Sequence, residues 1–172
     1  MRIDLEEYAR KLRVFDGLVP LEDERYASEG IHPQGPAHMH LEVQGASRRF
    51  RLNGDLDLSL ELECCRCLRR FPYDPHLHFE LLMAPQSDAP GEGEWPIEDQ
   101  ELEVSFYREP QLELEDLVQE QVFLVRPMKP ICKPECRGLC PHCGADLNQG
   151  LCSCPTPEPS SPFAVLKRRS NN

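Results

Sequence analysis

The cysteines of this chain are spaced for metal binding. Cys64 and Cys67 form one CxxC pair in the middle of the sequence. Six more lie near the C-terminus, in the order Cys132-x3-Cys136-x3-Cys140-x2-Cys143-x8-Cys152-x-Cys154. Such short spacings let neighbouring thiolates point at one tetrahedral ion, typically zinc. The C-terminal segment is rich in Pro and Gly and cannot form a hydrophobic core, so a metal is expected to organise it.

Spacing alone leaves the grouping of these cysteines open. The preferred grouping makes one site of Cys64, Cys67, Cys132 and Cys136, and a second site of Cys140, Cys143, Cys152 and Cys154. The alternative is one four-thiolate site drawn from the C-terminal six, with the other thiols free. Buried free cysteine does not explain four pairs, and an iron–sulfur cluster, which also takes four thiolates, ranks below zinc.

Two residues inside the CxxC pairs are interpreted as bystanders. Cys65 lies between Cys64 and Cys67 and is the odd thiol of nine. His142 lies between Cys140 and Cys143 and is expected to face solvent. Gly144 follows the second pair directly and is expected to take the positive φ that such a turn often needs.

No catalytic arrangement accompanies the cysteines. The sequence has no glycine-rich phosphate loop, no nucleophile elbow and no His-Glu-x-x-His helix. Four cysteine ligands fill all coordination positions of a zinc ion and leave none for a substrate, which favours a structural role. The other histidines fall on loops or on the wet faces of strands and show no ligand spacing: His32, His38, His40, His76 and His78. We therefore predict that the protein is not an enzyme and has no small-molecule substrate.

Net charge narrows the class of partner. A formal charge of -11 argues against an extended surface that binds the phosphates of a nucleic acid, and it favours a basic protein as partner. Small basic groups nevertheless border both halves of the preferred first site: Arg66, Arg69 and Arg70 in the middle of the chain, and Lys129, Lys133 and Arg137 near the C-terminus. If that grouping holds, they meet in a local positive patch able to contact a few phosphates.

The sequence also predicts a compartment. It contains no apolar stretch of about 18 residues that would span a membrane, and its first residues lack the apolar run of a secretory signal. We expect a cytoplasmic protein, where thiols stay reduced and cysteine clusters are more often metal ligands than disulfides.

Hydrophobic periodicity predicts an α+β fold. Asp4 and Glu7 resemble a capping box, which predicts a short N-terminal helix, whereas residues 16–37 are expected to form a loop. Apolar residues then alternate with polar ones over 39–43, 55–63, 71–83 and 102–106, which predicts half-buried antiparallel strands. Helical spacing returns over 114–125 and ends before Pro127. The predicted fold is a twisted antiparallel β-sheet, or a partly closed barrel, with one or two helices and a zinc-stapled C-terminal segment.

Two loops carry separate expectations. Asn53-Gly54 resembles a two-residue hairpin turn, but side-chain parity argues instead for a longer loop, a bulge or one bent strand through Gly54. Residues 84–100 are dense in Pro, Gly and acid, and are expected to form a loop in which Trp95 packs locally.

Composition divides the chain into three segments. Residues 1–128 are predicted to form the β-rich domain with short helices, and residues 129–154 the cysteine-rich zinc-binding segment. Residues 155–172 are predicted to be a Pro-rich linker and basic tail.

Several motifs together resemble the YceD-like family, known as large ribosomal RNA subunit accumulation proteins. They are C-x-R-C-L at 64–68, an acidic helix, the run R-P-M-K-P-I-C-K-P-E-C-R-G-L-C-P-H-C-G-A-D-L-N at 126–148, C-S-C at 152–154 and a closing P-F-A-V-L-K. The eight paired cysteines fall on the family's cysteine positions, and Cys65 does not. The chain departs from the family in its Pro-rich segment at 155–162.

The resemblance implies a non-enzymatic ribosome-biogenesis factor, active in the synthesis, processing or accumulation of large-subunit ribosomal RNA. Its expected partner is that RNA or a precursor of the large ribosomal subunit, with a basic ribosomal protein as a second candidate. The competing hypothesis is a redox-responsive zinc-binding regulatory protein, whose thiolates release zinc on oxidation. A free-standing nucleic-acid reader ranks last because the chain is acidic.

Overall fold

The computed structural model describes residues 1–9, 13–89 and 104–154, without the side chains of residues 8, 9 and 46. Within these ranges the chain forms ten strands and two α-helices. The helices are α1 (Leu5–Ala9) and α2 (Leu114–Val125). The strands are β1 (Arg2–Asp4), β2 (Arg13–Val19), β3 (Ile31–Pro33), β4 (Ala37–Ala46), β5 (Arg49–Asp57), β6 (Leu60–Glu63), β7 (Arg70–Tyr73), β8 (His76–Pro85), β9 (Val104–Tyr107) and β10 (Gln111–Glu113).

The strands form three sheets. A five-stranded sheet has the order β2-β4-β5-β8-β9, a three-stranded sheet the order β3-β6-β7, and β1 pairs with β10. All pairs are antiparallel except β8 with β9, which run parallel. The predicted twisted antiparallel sheet is therefore confirmed for most of the fold, with one parallel edge. In the part of the chain that the structure describes, the five-stranded sheet does not close into a barrel, because its outer strands β2 and β9 do not pair with each other.

Alternation places one face of each long strand in a single hydrophobic core. On β4, Met39, Leu41 and Val43 are fully buried, and the side chains between them face solvent or are half-buried. Leu52 and Leu56 of β5 continue this buried row. Burial of such side chains stabilises the fold by about 1.5–3 kcal/mol each. Helix α2 covers the same core with Leu114, Leu117, Val118 and Val122.

One strand runs through the Asn53-Gly54 pair. Strand β5 continues from Arg49 to Asp57, so the expectation of a single strand through Gly54 is confirmed and the hairpin turn is excluded. Gly54 lies opposite Phe79 of β8, and a Cβ on Gly54 would lie 2.1 Å from the Phe79 ring. The absence of a side chain at position 54 therefore makes room for this aromatic ring.

The predicted loop over 16–37 is wrong. This stretch contains most of β2, two short 3₁₀ turns (Asp23–Arg25 and Ala27–Glu29) and β3. Alternation in β2 is blurred because Val14 and Leu18, two apolar residues, lie on the exposed face, while Gly17 lies on the inner one. The sequence of β2 therefore lacks the apolar-in, polar-out signature by which strands are recognised.

Both predicted helices are present. The Asp4 carboxylate accepts hydrogen bonds from the backbone N–H of Glu6 and Glu7, at 2.9 and 3.1 Å, which caps α1. Helix α2 ends at Val125, two residues before Pro127, as its periodicity predicts. Trp95 and residues 155–172 lie outside the described residues.

Candidate metal centres

Eight cysteines converge in two groups of four. The first tetrad is Cys64, Cys67, Cys132 and Cys136, and the second is Cys140, Cys143, Cys152 and Cys154. Within each tetrad, one ligand atom of every residue lies within 4.8 Å of all the others. Both groups are therefore close enough to bind a metal ion, and they coincide with the grouping that the sequence favoured.

The three-stranded sheet and the cysteine-rich segment, residues 129–154, meet at the first tetrad. Cys64 follows the last residue of β6, and its Sγ lies 3.8 Å from that of Cys136. The Sγ atoms of Cys67 and Cys132 are 3.7 Å apart. The backbone N–H of Cys65 donates to the carbonyl of Pro130 at 2.8 Å, and this bond holds the turn after β6 against the cysteine-rich segment. Three of the four thiols are buried.

Arg66 forms a second connection between this turn and the cysteine-rich segment. Its guanidinium donates to the carbonyl of Cys136 at 2.8 Å, and its own carbonyl accepts from the N–H of Leu139 at 3.1 Å. The Arg66 side chain therefore has a structural role, because it satisfies a backbone acceptor next to a cysteine of the tetrad.

The two CxxC turns have the same backbone geometry. The N–H of Leu68 donates to the carbonyl of Cys64 at 2.9 Å, and the N–H of Gly144 donates to that of Cys140 at 2.9 Å. Both residues take a left-handed conformation, with φ of 58° at Leu68 and 73° at Gly144. The positive φ predicted at Gly144 is confirmed. The same turn recurs at Leu68, where no glycine signals it.

Backbone donors favour a thiolate at the first cysteine of each turn. Burial opposes ionisation of Cys64, but the N–H groups of Cys132, Cys67 and Arg66 outweigh it and lower its pKa to about 6. The N–H groups of Cys143 and His142 lower the pKa of Cys140, also to about 6. Thiolate is the form that binds a metal, so each turn prepares one ligand.

Other thiols of the tetrads hold their protons more tightly. Donation from Cys154 to the sulfur of Cys143, together with burial and a bond to Cys140, raises the pKa of Cys154 to about 12. At Cys67 the backbone N–H of Arg69 favours the thiolate, but burial and the three neighbouring cysteines raise its pKa to about 12. Proton sharing of this kind is expected where several thiolates repel one another and no cation offsets their charge.

The donor sets fit a soft, tetrahedral divalent ion. Each has four sulfur atoms, and backbone N–H groups bond to the thiolates as in an outer shell that tunes a metal site. The side-chain NH₂ of Asn148 donates to the Cys136 sulfur at 3.5 Å, and the side-chain Oδ1 of Asn148 accepts from the backbone N–H of Arg137 at 2.9 Å. Asn148 lies inside the second tetrad's loop, so it connects the two centres.

The tetrads differ in exposure. Cys64, Cys67 and Cys136 are buried in the first, whereas Cys140 alone is buried in the second and Cys143 is exposed. The second tetrad is therefore the more accessible to solvent and to reagents.

Cations concentrate beside the first tetrad. Within the described residues, seven arginines and lysines form no ion pair with a carboxylate within 4.0 Å. Two of them are Arg48 and Arg108, and the other five border the cysteines of the first tetrad in the sequence: Arg66, Arg69, Lys129, Lys133 and Arg137. Arg69 instead approaches the sulfur of Cys132 at 3.9 Å, and this sulfur raises the pKa of Arg69. Arg70 lies 3.9 Å from Glu63. These side chains offset thiolate charge first, and only their remainder is available to a phosphate.

The remaining predicted positions are located as follows. Cys65 and His142 are exposed and belong to neither tetrad. Four histidines that show no ligand spacing in the sequence, His38, His40, His76 and His78, lie on one face of the five-stranded sheet. Only the pairing of β4, β5 and β8 reveals this, because strand register cannot be read from the spacing of the residues. The expectation for His32 is wrong, because His32 is buried on β3, with its ring 3.2 Å from the Glu63 carboxylate.

The fold and these centres define a class: a small, mostly β protein whose C-terminal segment is gathered around two cysteine tetrads. The family model described as Large ribosomal RNA subunit accumulation protein YceD matches residues 52–168. The chain belongs to this family, and the expected resemblance is confirmed. The matched range includes both tetrads.

Curated relatives agree with this assignment. A protein of Zea mays, named Large ribosomal RNA subunit accumulation protein YCED homolog 1, chloroplastic, is 24% identical over 74% of this chain and 51% of its own length. Uncharacterized proteins of Mycobacterium bovis and Mycobacterium tuberculosis are each 29% identical over 63% of this chain and 50% of theirs. The chain thus spans about half the length of the curated relatives it matches.

No solved structure matches the chain. Across the described residues, no helix combines the length and apolarity that crossing a membrane requires.

Proposed function

We propose that this protein is a non-enzymatic ribosome-biogenesis factor that supports synthesis, processing or accumulation of large-subunit ribosomal RNA, with structural zinc in both tetrads. The observation that carries the proposal is the family match over 52–168, a range that contains all eight proposed ligands. The family is named for ribosomal RNA accumulation and not for a reaction.

Zinc is proposed from the chemistry of the donors. Four cysteine sulfurs per site, with no histidine or carboxylate among them, favour a tetrahedral zinc whose coordination is complete. When bound, such an ion supplies cross-linking and no open position for a substrate. The proposed division of the chain follows: residues 1–128 form the β-rich domain, 129–154 the zinc-binding segment and 155–172 the linker and tail.

The proposed partner is large-subunit ribosomal RNA or a precursor of the large subunit, met in the cytoplasm. A tetrathiolate zinc carries about two negative charges, so the five cations beside the first tetrad that form no ion pair within the described residues leave a surplus of about three positive charges for RNA. This balance supports a contact with few phosphates and leaves room for a basic ribosomal protein as a second partner.

Metal content tests the zinc proposal. Freshly purified, reduced protein is expected to contain two zinc ions per chain, because the donor atoms form two tetrads. Cys64→Ser with Cys67→Ser is expected to remove one ion, and Cys140→Ser with Cys143→Ser the other. Cys65→Ser is the matched control and should leave both. Metal-free protein with an ordered C-terminal segment would contradict the proposal.

Co-sedimentation tests the ribosomal role. The protein is expected to migrate with precursor large subunits in a sucrose gradient, and charge reversal at Arg70 to reduce the bound fraction. Arg66 and Arg69 are reversed in separate variants, because Arg66 bonds to the Cys136 carbonyl and Arg69 to the Cys132 sulfur, so both also support the first tetrad. Reversal at Arg2, which pairs with Glu113 far along the chain, is the control. A protein that never migrates with ribosomal particles would exclude this function.

The exposure of the second tetrad favours one alternative, a redox-responsive zinc-binding regulator. Exposed Cys143 is the thiolate that an oxidant reaches first. Mild peroxide is then expected to release one zinc ion per chain and to change partner binding. Zinc content that stays constant under peroxide would remove this alternative and leave the ribosomal proposal untouched.

A further inference from the structure

Four histidines and three aspartates form a further cluster of titratable side chains, on the five-stranded sheet and not on the three-stranded sheet that leads to Cys64. We call it the His–Asp face, and it consists of Asp16 on β2, His38 and His40 on β4, Asp55 and Asp57 on β5, and His76 and His78 on β8. The register places them in two rows across the strands: His38-Asp57-His76 and Asp16-His40-Asp55-His78. Acid and imidazole alternate within each row.

Each carboxylate of the face bonds to imidazole nitrogens. Asp16 bridges His38 and His40, at 3.1 and 3.0 Å. Asp57 contacts Nδ1 of His76 at 2.7 Å, and Asp55 contacts Nδ1 of His78 at 2.9 Å. These bonds hold the carboxylates in fixed positions on a rigid sheet, and a carboxylate has about four lone-pair sites, so each retains acceptor capacity toward a ligand.

The face is acidic and open to solvent. Among the described residues, its three carboxylates, Asp16, Asp55 and Asp57, have no arginine or lysine partner, and neither has Glu42, which lies beside His40 on β4. The arginines further along β5 are already paired, Arg49 with Asp88 at 3.1 Å and Arg51 with Glu80 at 2.7 Å. The side chains of His76 and His78 are each 65% exposed. With neutral imidazoles, the three aspartates of the face and the neighbouring Glu42 therefore carry four uncompensated negative charges.

This chemistry selects one class of ligand. Phosphates of RNA are repelled by the uncompensated carboxylates. A metal ion is not favoured, because the described groups whose ligand atoms converge are the two cysteine tetrads, while the imidazole nitrogens here are bonded to carboxylates. A guanidinium suits both components of the face, since it bonds to carboxylates in a fork and stacks on planar rings.

We propose that the His–Asp face is the surface on which this protein binds an arginine-rich segment of a protein partner. The inference rests on the proposed function only for the ribosomal context of the partner. The binding surface and the chemistry of its ligand follow from the charges of the sheet itself. The basic residues beside the first tetrad lie in other elements, so an RNA contact there and a protein contact here can coexist.

The alternation of acid and imidazole makes this binding sensitive to pH. Protonation of the four imidazoles offsets the four carboxylates and removes the attraction for a cation. The hydrogen bond that His40 donates to the Asp16 carboxylate raises the pKa of His40, and the bonds that Asp16 accepts from His40 and His38 lower the pKa of Asp16 against its desolvation. The groups that face the histidines are Asp16 from β2, Glu42 from β4, Asp55 and Asp57 from β5, and Glu80 and Arg51 beyond them. Affinity is therefore expected to be highest above neutral pH and to fall on acidification.

The experiment measures binding of a fluorescent peptide of alternating Arg and Gly to purified, zinc-loaded protein by anisotropy. Asp55→Asn with Asp57→Asn is expected to weaken binding about tenfold at pH near 8. The matched control, Glu6→Gln with Glu24→Gln, removes the same charge from exposed positions in α1 and before β3, and is expected to weaken binding less than about threefold. Replacement of His38, His40, His76 and His78 by Gln is expected to flatten the pH dependence.

Two outcomes would overturn the proposal. Equal losses in the two acid-to-amide pairs would show a general attraction to an acidic protein, and a single-stranded RNA that displaces the peptide from the wild type would assign the face to nucleic acid. The assay contains no ribosomal particle. Its failure therefore leaves the co-sedimentation result standing, and a failure of co-sedimentation leaves the peptide result standing.

Discussion

At the scale of single residues, the two CxxC turns solve one geometric problem with different amino acids. Leu68 and Gly144 occupy equivalent positions, and each donates its N–H to the first cysteine's carbonyl with a positive φ. An L residue in this conformation costs about 1–2 kcal/mol, and glycine avoids that cost. Leu68 is 63% exposed, so little packing offsets its strain.

The first prediction concerns this position. Gly144→Ala is expected to destabilise the zinc-loaded protein by about 1 kcal/mol, because an added Cβ meets nothing within 4 Å and only the backbone conformation is penalised. Leu68→Gly is expected to change stability in the opposite direction and by less, since glycine loses more entropy on folding. Urea unfolding followed by circular dichroism measures both. A neutral Gly144→Ala would show that the turn does not require a left-handed residue.

The second prediction concerns Gly54. In Gly54→Ala the new Cβ would lie 2.1 Å from Cζ of Phe79, inside the core pairing of β5 and β8. Such overpacking is expected to cost about 1–3 kcal/mol in the free energy of unfolding. Gly35→Ala, where nothing lies within 4 Å, is the control and should change stability by less than about 0.5 kcal/mol.

A second substitution separates steric overlap from other causes. Phe79→Leu in the Gly54→Ala background should restore part of the lost stability, because the shorter side chain vacates the space that the new Cβ needs. If the two changes are simply additive, the overlap between position 54 and the Phe79 ring is not the reason for the loss.

At the scale of elements, periodicity predicted the long strands and α2 well and failed where burial does not follow the pattern. Strands β4 and β5 alternate cleanly, because one of their faces is buried and the other is wet, and β8 alternates in this way over residues 76–80. Strand β2 exposes Val14 and Leu18, so its sequence resembles a loop. Strand β3 is three residues long and ends in Pro33, which also obscures it. The parallel pairing of β9 with β8 depends on long-range topology, which alternation does not encode.

The third prediction concerns the attachment of the edge strand β2 to β4. The Asp16 carboxylate contacts rings of both His38 and His40, and it raises the pKa of His40 above its ordinary value. Asp16→Asn is therefore expected to lower the pKa of His40, measured by NMR titration of its ring protons. Asp88→Asn, which removes the carboxylate that pairs with Arg49 at the start of β5, is the control and should leave that titration unchanged.

The same pair sets the sign of a pH effect on stability. A raised pKa of His40 in the folded state stabilises the protein below the ordinary histidine pKa, and this contribution is lost as pH rises through the folded value. The lowered pKa of Asp16 stabilises above the ordinary aspartate pKa, and this contribution is lost as pH falls through the folded value. The pair thus contributes most between those two limits, and Asp16→Asn should remove that maximum.

At the scale of the whole molecule, the first tetrad connects parts of the chain that the core does not connect. It gathers the turn between β6 and β7 with the segment after α2, and Tyr73 reinforces this junction by donating to the carbonyl of Val125 at 3.1 Å. Spacing in the sequence identified the eight cysteines but could not assign them to groups. The grouping is decided by where β6 ends relative to α2, which is a property of the fold.

The fourth prediction follows from a difference between the tetrads: the first joins two distant parts of the chain, whereas the ligands of the second all lie within residues 140–154. With zinc bound, Cys136→Ser is expected to lower the free energy of unfolding of the whole domain, because Cys136 joins the cysteine-rich segment to Cys64 in the buried first tetrad. The expected loss is about 2–5 kcal/mol, the range for losing a long-range cross-link. Cys152→Ser breaks a site whose four ligands all lie within residues 140–154. It should increase amide exchange in that segment and leave the urea midpoint of the β-sheets nearly unchanged. Hydrogen exchange read by mass spectrometry, together with urea unfolding, distinguishes local from global loss, and equal effects of the two variants on the midpoint would contradict this assignment of roles.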